Sequence, residues 1–253
     1  MNKTRVIPVL LLRGKGLVKT VKFKNPKYIG DPINSVRIFN EKEVDELVFL
    51  DILATPENRG PDFELLADIA SEAFMPMAYG GGLTSLEQIQ RVLALGFEKV
   101  VINTAAYDSP QLIRDAISIY GSQSIVACVD ARRNFFGRYE LYSHCGKKKQ
   151  SLNLKEHVIS LERLGIGEII VNAVDQDGTM SGYDIKMIRD VVNAVTVPVV
   201  ACGGAAGLDD MAVVVKEAGA SAVAAGSLFV FVGPHRAVLL NYPDRADLAR
   251  HLP

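Results

Sequence analysis

Gly80-Gly81-Gly82-Leu83-Thr84-Ser85 and, one helical stretch later, Val100-Val101-Ile102-Asn103-Thr104-Ala105-Ala106 decide how this chain is read. A glycine triplet closes one apolar strand, and a small polar pair closes the next. Backbone N–H groups at such strand ends, with a helix N-terminus behind them, form an anion nest. A related arrangement returns at Gly203-Gly204, followed by Ala225-Gly226-Ser227. Two phosphate-sized cups imply a ligand with a phosphate at each end.

Working outward, apolar β-rich runs recur at 6–12, 46–52, 76–79, 99–103, 124–130, 168–174, 198–202 and 222–225. They are near-continuous rather than alternating, as parallel strands buried on both faces should be. Helical patterns lie between them, for example at 85–95, 110–120, 154–164, 184–195 and 208–218. Thr84 or Ser85 caps one start and Ser109-Pro110 another, while Gly96, Gly121, Gly165 and Gly219 punctuate the ends. Eight strands alternating with helices in 253 residues is the pattern of an α/β TIM (βα)8 barrel, read as a single domain over 1–253. An open doubly wound sheet is the competing reading, weakened because no GxGxxG follows the first strand.

The chain also repeats itself. Asp45-Glu46-Leu47-Val48-Phe49-Leu50 resembles Gly167-Glu168-Ile169-Ile170-Val171-Asn172 at an offset of 122 residues (46 to 168). Gly81-Gly82 maps onto Gly203-Gly204 at the same offset, and Asn103-Thr104 onto Gly226-Ser227 at 123 (103 to 226). The barrel reads as two similar half-barrels, with an equivalent phosphate cup in each.

A net charge of −1, with 49% hydrophobic and 23% charged residues, suggests neither a nucleic-acid nor a membrane partner. The start MNKTRVIPVLLL has too short an apolar run for a signal peptide, and no 18-residue apolar stretch suggests a membrane span. Cys128, Cys145 and Cys202 are far apart in the chain. They suggest no disulfide and no metal site, hence a cytoplasmic location. No cofactor is expected. The long connection 13–31 carries Lys15, Lys19, Lys22, Lys24 and Lys27, and reads as a lysine-rich lid suited to a doubly anionic ligand. Lys147-Lys148-Lys149 reads as a solvated loop, with a lysine there also able to touch phosphate.

Gly30-Asp31-Pro32, the run from Asp45 to Ile52, the glycine triplet, Ile102-Asn103-Thr104-Ala105-Ala106 and Val129-Asp130-Ala131 together resemble one family. So do Ser143 through Lys148, Asp175-Gln176-Asp177-Gly178-Thr179 and Ser181-Gly182-Tyr183-Asp184. The family is HisF, the cyclase subunit of imidazole glycerol phosphate synthase, and the resemblance runs from Arg5 to about Phe231. It implies a glutaminase subunit docked on the N-terminal face, ammonia passing through the barrel, and attack on a bisphosphorylated ribulosyl intermediate at the C-terminal face. The family's ammonia gate of four charged residues falls on Arg5, Glu46, Lys99 and Glu168. Each opens an apolar strand run, and alternating signs can satisfy one another around a narrow floor. The first phosphate cup would use Gly81, Gly82, Asn103 and Thr104. The second would use Asp177, Gly178, Thr179, Gly203, Gly204, Gly226 and Ser227, with Lys19 from the lid.

One position departs. The family's chemistry relies on two aspartates, at the ends of strands 1 and 5, acting as general acid and base. The second is present as Asp130, but Ile7-Pro8-Val9-Leu10-Leu11 places Leu11 where the first belongs. The internal repeat pairs the same positions, 11 with 130. A leucine cannot transfer a proton. HisF-like paralogues in gene clusters for surface polysaccharides are thought to supply ammonia to a separate sugar amidotransferase that makes an amidino sugar. A barrel with its gate and without one aspartate suits that role. A true cyclase of histidine biosynthesis that tolerates Leu11, and a non-catalytic scaffold holding a bisphosphorylated ligand, stay open as alternatives.

Overall fold

Each of the eight expected runs is a strand in the computed structural model, which describes residues 4–253. They are β1 (Arg5–Arg13), β2 (Leu47–Asp51), β3 (Met77–Gly80), β4 (Lys99–Ile102), β5 (Ile125–Arg133), β6 (Glu168–Ala173), β7 (Val199–Cys202) and β8 (Ala222–Ala225). Each pairs in parallel with its neighbours in the ring; β8 returns to β1, and β5 pairs with β6. The sheet is therefore a closed (βα)8 barrel. Residues 1–3, part of the start whose apolar run is too short for a signal peptide, lie outside the described residues.

The helices are α1 (Pro32–Glu41), α2 (Phe63–Glu72), α3 (Leu86–Ala94), α4 (Pro110–Tyr120), α5 (Leu154–Leu164), α6 (Ile185–Val192), α7 (Leu208–Ala218) and α8 (Arg245–His251). Their caps follow the sequence. Asp31, Asp62, Ser85, Asn153 and Asp184 each accept a first-turn backbone N–H, and Gly165 and Gly219 close α5 and α7 in the left-handed conformation. Among the described residues no helix is long and apolar enough to cross a membrane.

Alternate strand residues face opposite ways. Ile7, Val9, Val48, Ala78, Val101, Val126, Cys128, Ile170, Val200, Ala222 and Ala224 fill the barrel. Their neighbours, such as Val6, Leu10, Phe49 and Val129, pack outward with helix residues such as Ile69, Ile113 and Met211. Burial on both faces is why the runs are apolar without alternation.

The half-barrel repeat holds in atomic detail. Gly81 (φ 126°) and Gly203 (φ 88°) back onto equivalent carbonyls, and a Cβ would lie 2.6 Å from Asp51 O in one case and 2.7 Å from Ala173 O in the other. No other residue fits both the backbone angle and the contact.

The connection 13–31 differs from a loop. Strand Gly16–Val21 turns back antiparallel on the end of β1, pairing Leu11 with Val18, and strand Lys24–Gly30 pairs with it in turn. Lys15, Lys22, Lys24 and Lys27 are exposed, and only Lys19 is buried. The lysine-rich lid is thus a three-stranded meander that offers one lysine inward. A second hairpin, β5 with Tyr139–Ser143, rises from the opposite side of the ring.

The chain after Phe231 forms a small hairpin, Phe231–Val232 with Ala237–Val238. It then runs down the outside through buried Tyr242, whose hydroxyl donates to Val6 O at 2.9 Å. It ends beside Thr4, whose backbone N–H and hydroxyl both donate to Pro253 O. This tail straps the barrel from one end to the other.

Candidate functional site at the C-terminal end of the barrel

A cavity of about 310 Å³ opens at the C-terminal ends of the strands. Its base is Val48, Val101 and Ile170, and its walls include Lys19, Asp130, Leu11 and both glycine pairs. Of the expected cup residues, Gly81, Gly82, Asn103, Thr104, Asp177, Gly178, Gly203, Gly204, Gly226 and Ser227 all line it. Thr179 does not. Its hydroxyl donates to Gln176 O at 2.7 Å and pairs with Ser181 Oγ at 2.7 Å, inside its own turn.

The two cups are built alike. Asn103 and Gly226 share an unusual backbone, φ −117°, ψ −71° and φ −108°, ψ −70°. Each leads into a short helical turn, Thr104–Asp108 or Ser227–Phe229. The Ser227 hydroxyl is buried and has no hydrogen-bond partner among the described residues. Lys19 reaches the second cup from the meander, and its ammonium donates to Val9 O. Burial lowers it to about 8, against the attraction of Asp177. Asp177 is itself raised by burial and opposed by Lys19. Its backbone carbonyl accepts from Lys22 N at 2.9 Å, which docks the meander over this half of the mouth. Of the 147–149 lysines, Lys147 lines the cavity, whereas Lys148 pairs with Asp108 at 3.3 Å and Lys149 with Glu140 at 2.8 Å.

The mouth is chemically two-sided. On β5 and β6, Asp130 sits beside Asn172 in register. On β1 and β2, the repeat-equivalent neighbours are Leu11 and Leu50. Asp130 Oδ1 accepts from Asn172 Nδ2 at 3.0 Å and Oδ2 from Asn103 Nδ2 at 3.2 Å. Burial pushes Asp130 up to about 7, with the Asn172 hydrogen bond opposing and Asp177 adding to the rise. The nearby acid Asp51 is already engaged. Its Oδ1 accepts from Leu53 N, Ala54 N and Arg59 Nη2 at 2.9, 3.1 and 3.0 Å, and its Oδ2 pairs with Arg59 at 2.9 Å.

Because the native chain holds the Asp130 proton more tightly than the unfolded chain, this residue's contribution to stability falls as pH rises from about 4 to about 7. Asp130→Asn is therefore expected to be more stable than the native protein at pH 8, by about 1–3 kcal/mol, with a smaller gain at pH 5. Denaturant titrations at the two pH values measure the difference, and an equal effect at both would contradict the assignment.

At the opposite end, the four charged residues meet as a closed ring. The Arg5 guanidinium donates to Glu46 and Glu168. Lys99 Nζ donates to both Glu46 oxygens at 2.9 Å and to Glu168 Oε2 at 3.2 Å. Glu46 and Glu168 are buried. Burial opposes the Arg5 charge, but Glu168 and Glu46 outweigh it and hold the guanidinium above its usual value. Glu46, Lys99 and Glu168 are each two residues below a cavity-base residue, namely Val48, Val101 and Ile170. Two strand residues span about 7 Å, so little more than one layer of side chains separates floor from cavity.

Asn172 lies outside the cup and aspartate sets read from the sequence, because it looks like one more residue of a buried strand. Its offset of 122 from Leu50 was the available signal. The three cysteines, distant in sequence, all line the one cavity as free thiols. Among the described residues no cluster of His, Cys, Asp and Glu has the arrangement of a metal site.

Comparison with known proteins places this architecture. A family model described as "Histidine biosynthesis protein" matches residues 5–233. The chain is 50% identical over 244 residues (96% of the chain, 97% of the relative) to a Pseudomonas aeruginosa protein named "Putative imidazole glycerol phosphate synthase subunit hisF2". It is 44% identical over 248 residues (98% of each) to the Leptospira interrogans protein "Putative imidazole glycerol phosphate synthase subunit HisF". It is 47% identical over 253 residues (100% of the chain, 97% of the relative) to "Putative imidazole glycerol phosphate synthase subunit hisF3" of Vibrio vulnificus. The chain belongs to the histidine biosynthesis protein family, within which it is a HisF-like subunit of the imidazole glycerol phosphate synthase type.

Proposed function

We propose that this protein receives ammonia from a glutaminase subunit on its N-terminal face, conveys it through the barrel, and closes the imidazole ring poorly or not at all. The ammonia then serves a separate sugar amidotransferase in the making of an amidino sugar. The observation that carries this reading is the contrast between the two ends of the barrel. The Arg5–Glu46–Lys99–Glu168 ring is complete and only about one layer below the cavity. At the mouth Asp130 stands beside Asn172, and the facing half has Leu11 beside Leu50; the other two carboxylates of the cavity are engaged, Asp51 by Arg59 and Asp177 by the nearby Lys19.

A ring of alternating charges can open by exchanging partners without leaving a charge bare, which suits a gate for a small polar molecule. Ring closure needs a proton donor and a proton acceptor, and Leu11 supplies neither. The cups support retention of a phosphorylated ligand. Glycines admit the anion to the backbone, while Lys19 and the free Ser227 hydroxyl supply donors.

The test is the purified chain with the bisphosphorylated ribulosyl intermediate and an ammonium salt. Turnover is expected to be 10²–10⁴-fold below that of a HisF with both aspartates, the usual effect of losing a positioned acid or base. Turnover within about tenfold would overturn the reading in favour of a histidine-pathway cyclase.

A further inference from the structure

The hairpin that rises from β5 carries two phenylalanines into solvent. Phe135 is 98% exposed and Phe136 83%, and their rings lie edge to face with centroids 5.6 Å apart. The turn that holds them is tied by its own hydrogen bonds. Asn134 Oδ1 accepts from Phe136 N and Arg138 N, both at 3.0 Å. Asn134 N donates to Arg138 O at 2.8 Å, and Gly137 N to Asn134 O at 2.9 Å. At the base of the hairpin, Arg133 Nη2 donates to the Tyr139 hydroxyl at 2.7 Å and to Asp184 Oδ2, on the cap of α6, at 3.0 Å. Two bare aromatic rings on an ordered turn suit an anchor better than a free surface. Aromatic side chains carry much of the energy at protein interfaces, and a turn already held has little ordering left to lose.

The position of the tip and the charge around it narrow the occupant. Asn134 follows Asp130 by four residues along an extended strand, so the tip stands about 13 Å beyond the mouth. The meander rises from β1, on the opposite side of the ring. Arg133 is paired with Asp184, but Arg13, Lys15, Lys22, Lys24 and Arg138 are exposed and have no carboxylate partner among the described residues. In a chain of net charge −1 this is a local positive rim, and its complement is an acidic surface. A flat lipid surface resting on two opposed hairpins would leave the mouth open to water on its other sides. A protein face shaped around both would close it. Buried there, the two rings would cover roughly 300–400 Å², close to half of the ~800 Å² that each partner gives to a standard interface. The basic rim would supply the rest.

We propose that Phe135 and Phe136, with Arg138 and the basic meander around them, form the docking surface for the enzyme that takes up the ammonia. That enzyme would offer an acidic face with an apolar pocket for the two rings. Docking there closes the mouth, so that ammonia passes between the proteins without release. The inference rests on the proposed supply of ammonia and adds where the acceptor sits.

The experiment measures binding of the purified chain to the sugar amidotransferase of its source organism, with the glutaminase as a control for the opposite face. Phe135→Ser combined with Phe136→Ser should weaken binding to the amidotransferase at least tenfold, as loss of an aromatic anchor does, and leave binding to the glutaminase unchanged. Arg138→Glu should weaken it as well, and raised salt should weaken the native complex. Both variants alter exposed side chains, and an unchanged thermal unfolding curve checks that they fold. Vesicles of phosphatidylglycerol and phosphatidylcholine are a third surface. If the native chain binds the amidotransferase and both variants bind it equally well, the docking surface is overturned while the supply of ammonia stands. If the native chain binds the glutaminase but not the amidotransferase, both fall. Binding to the vesicles instead, lost with the two phenylalanines, would overturn the inference in favour of a membrane contact.

Discussion

Leu11→Asp is expected to raise ammonia-dependent ring closure on the bisphosphorylated ribulosyl intermediate by on the order of 10²-fold or more. β1 and β5 stand four strands apart in a ring of eight, so positions 11 and 130 face each other from opposite sides of the mouth. Asp130 alone is poised near neutrality, at about 7. It can give or take one proton, but a step that needs a donor and an acceptor at the same moment calls for a second group. A carboxylate at 11 would supply a second group at the repeat-equivalent site. Leu11 is only partly buried, so the new carboxylate would keep some water, though Leu50 beside it would raise its pKa. The rate is measured on purified variant and native chain with ammonium salt. An unchanged rate in a folded variant that still binds the phosphorylated ligand would mean that more than position 11 has been lost.

The second large effect is expected at the floor. Glu168→Ala removes the acceptor shared by Arg5 and Lys99 and leaves each with Glu46 alone. Breaking a buried pair from one side commonly costs 3–5 kcal/mol. The Arg5 side chain is 32% exposed, which recovers part of that in solvation. We expect a loss of about 2–3 kcal/mol, or a fall in Tm of roughly 5–10 °C for a chain of this length. Thermal unfolding measures it. A change below about 1 °C would show that the four charges act independently rather than as one ring.

What the sequence made legible follows from which contacts it encodes locally. Parallel strands buried on both faces leave continuous apolar runs, so β1 to β8 were readable to within a few residues. The terminal glycines and capping residues marked α3 and α5. The repeat exposed the cups and half of the ring, because Gly81 and Gly203, and Glu46 and Glu168, recur at one offset, while Arg5 and Lys99 came from the family resemblance. The meander was not legible: strand Lys24–Gly30 is exposed over most of its length and carries Asn25 and Pro26, with no apolar period to betray it. Nor was the strap, whose anchors, Tyr242 to Val6 and Pro253 to Thr4, join chain ends about 240 residues apart. Closure of the barrel is equally non-local, which is why Asn172 and three scattered cysteines met in one cavity only once the ring was formed. Leu11 is the opposite case. It stands out against the family's strand-1 motif, and the repeat pairs the same position with Asp130.

In the proposed function, ammonia travels inside the barrel and leaves at the mouth for another enzyme. The most direct measurement follows the nitrogen. The chain is combined with the glutaminase and sugar amidotransferase of its source organism, glutamine labelled with ¹⁵N at its amide, and an excess of unlabelled ammonium. The expected product is an amidino sugar enriched in ¹⁵N well above the bulk ammonium pool, with the enrichment lost when this chain is omitted. A product with the isotope ratio of the bulk pool, or one made equally well without this chain, would contradict it.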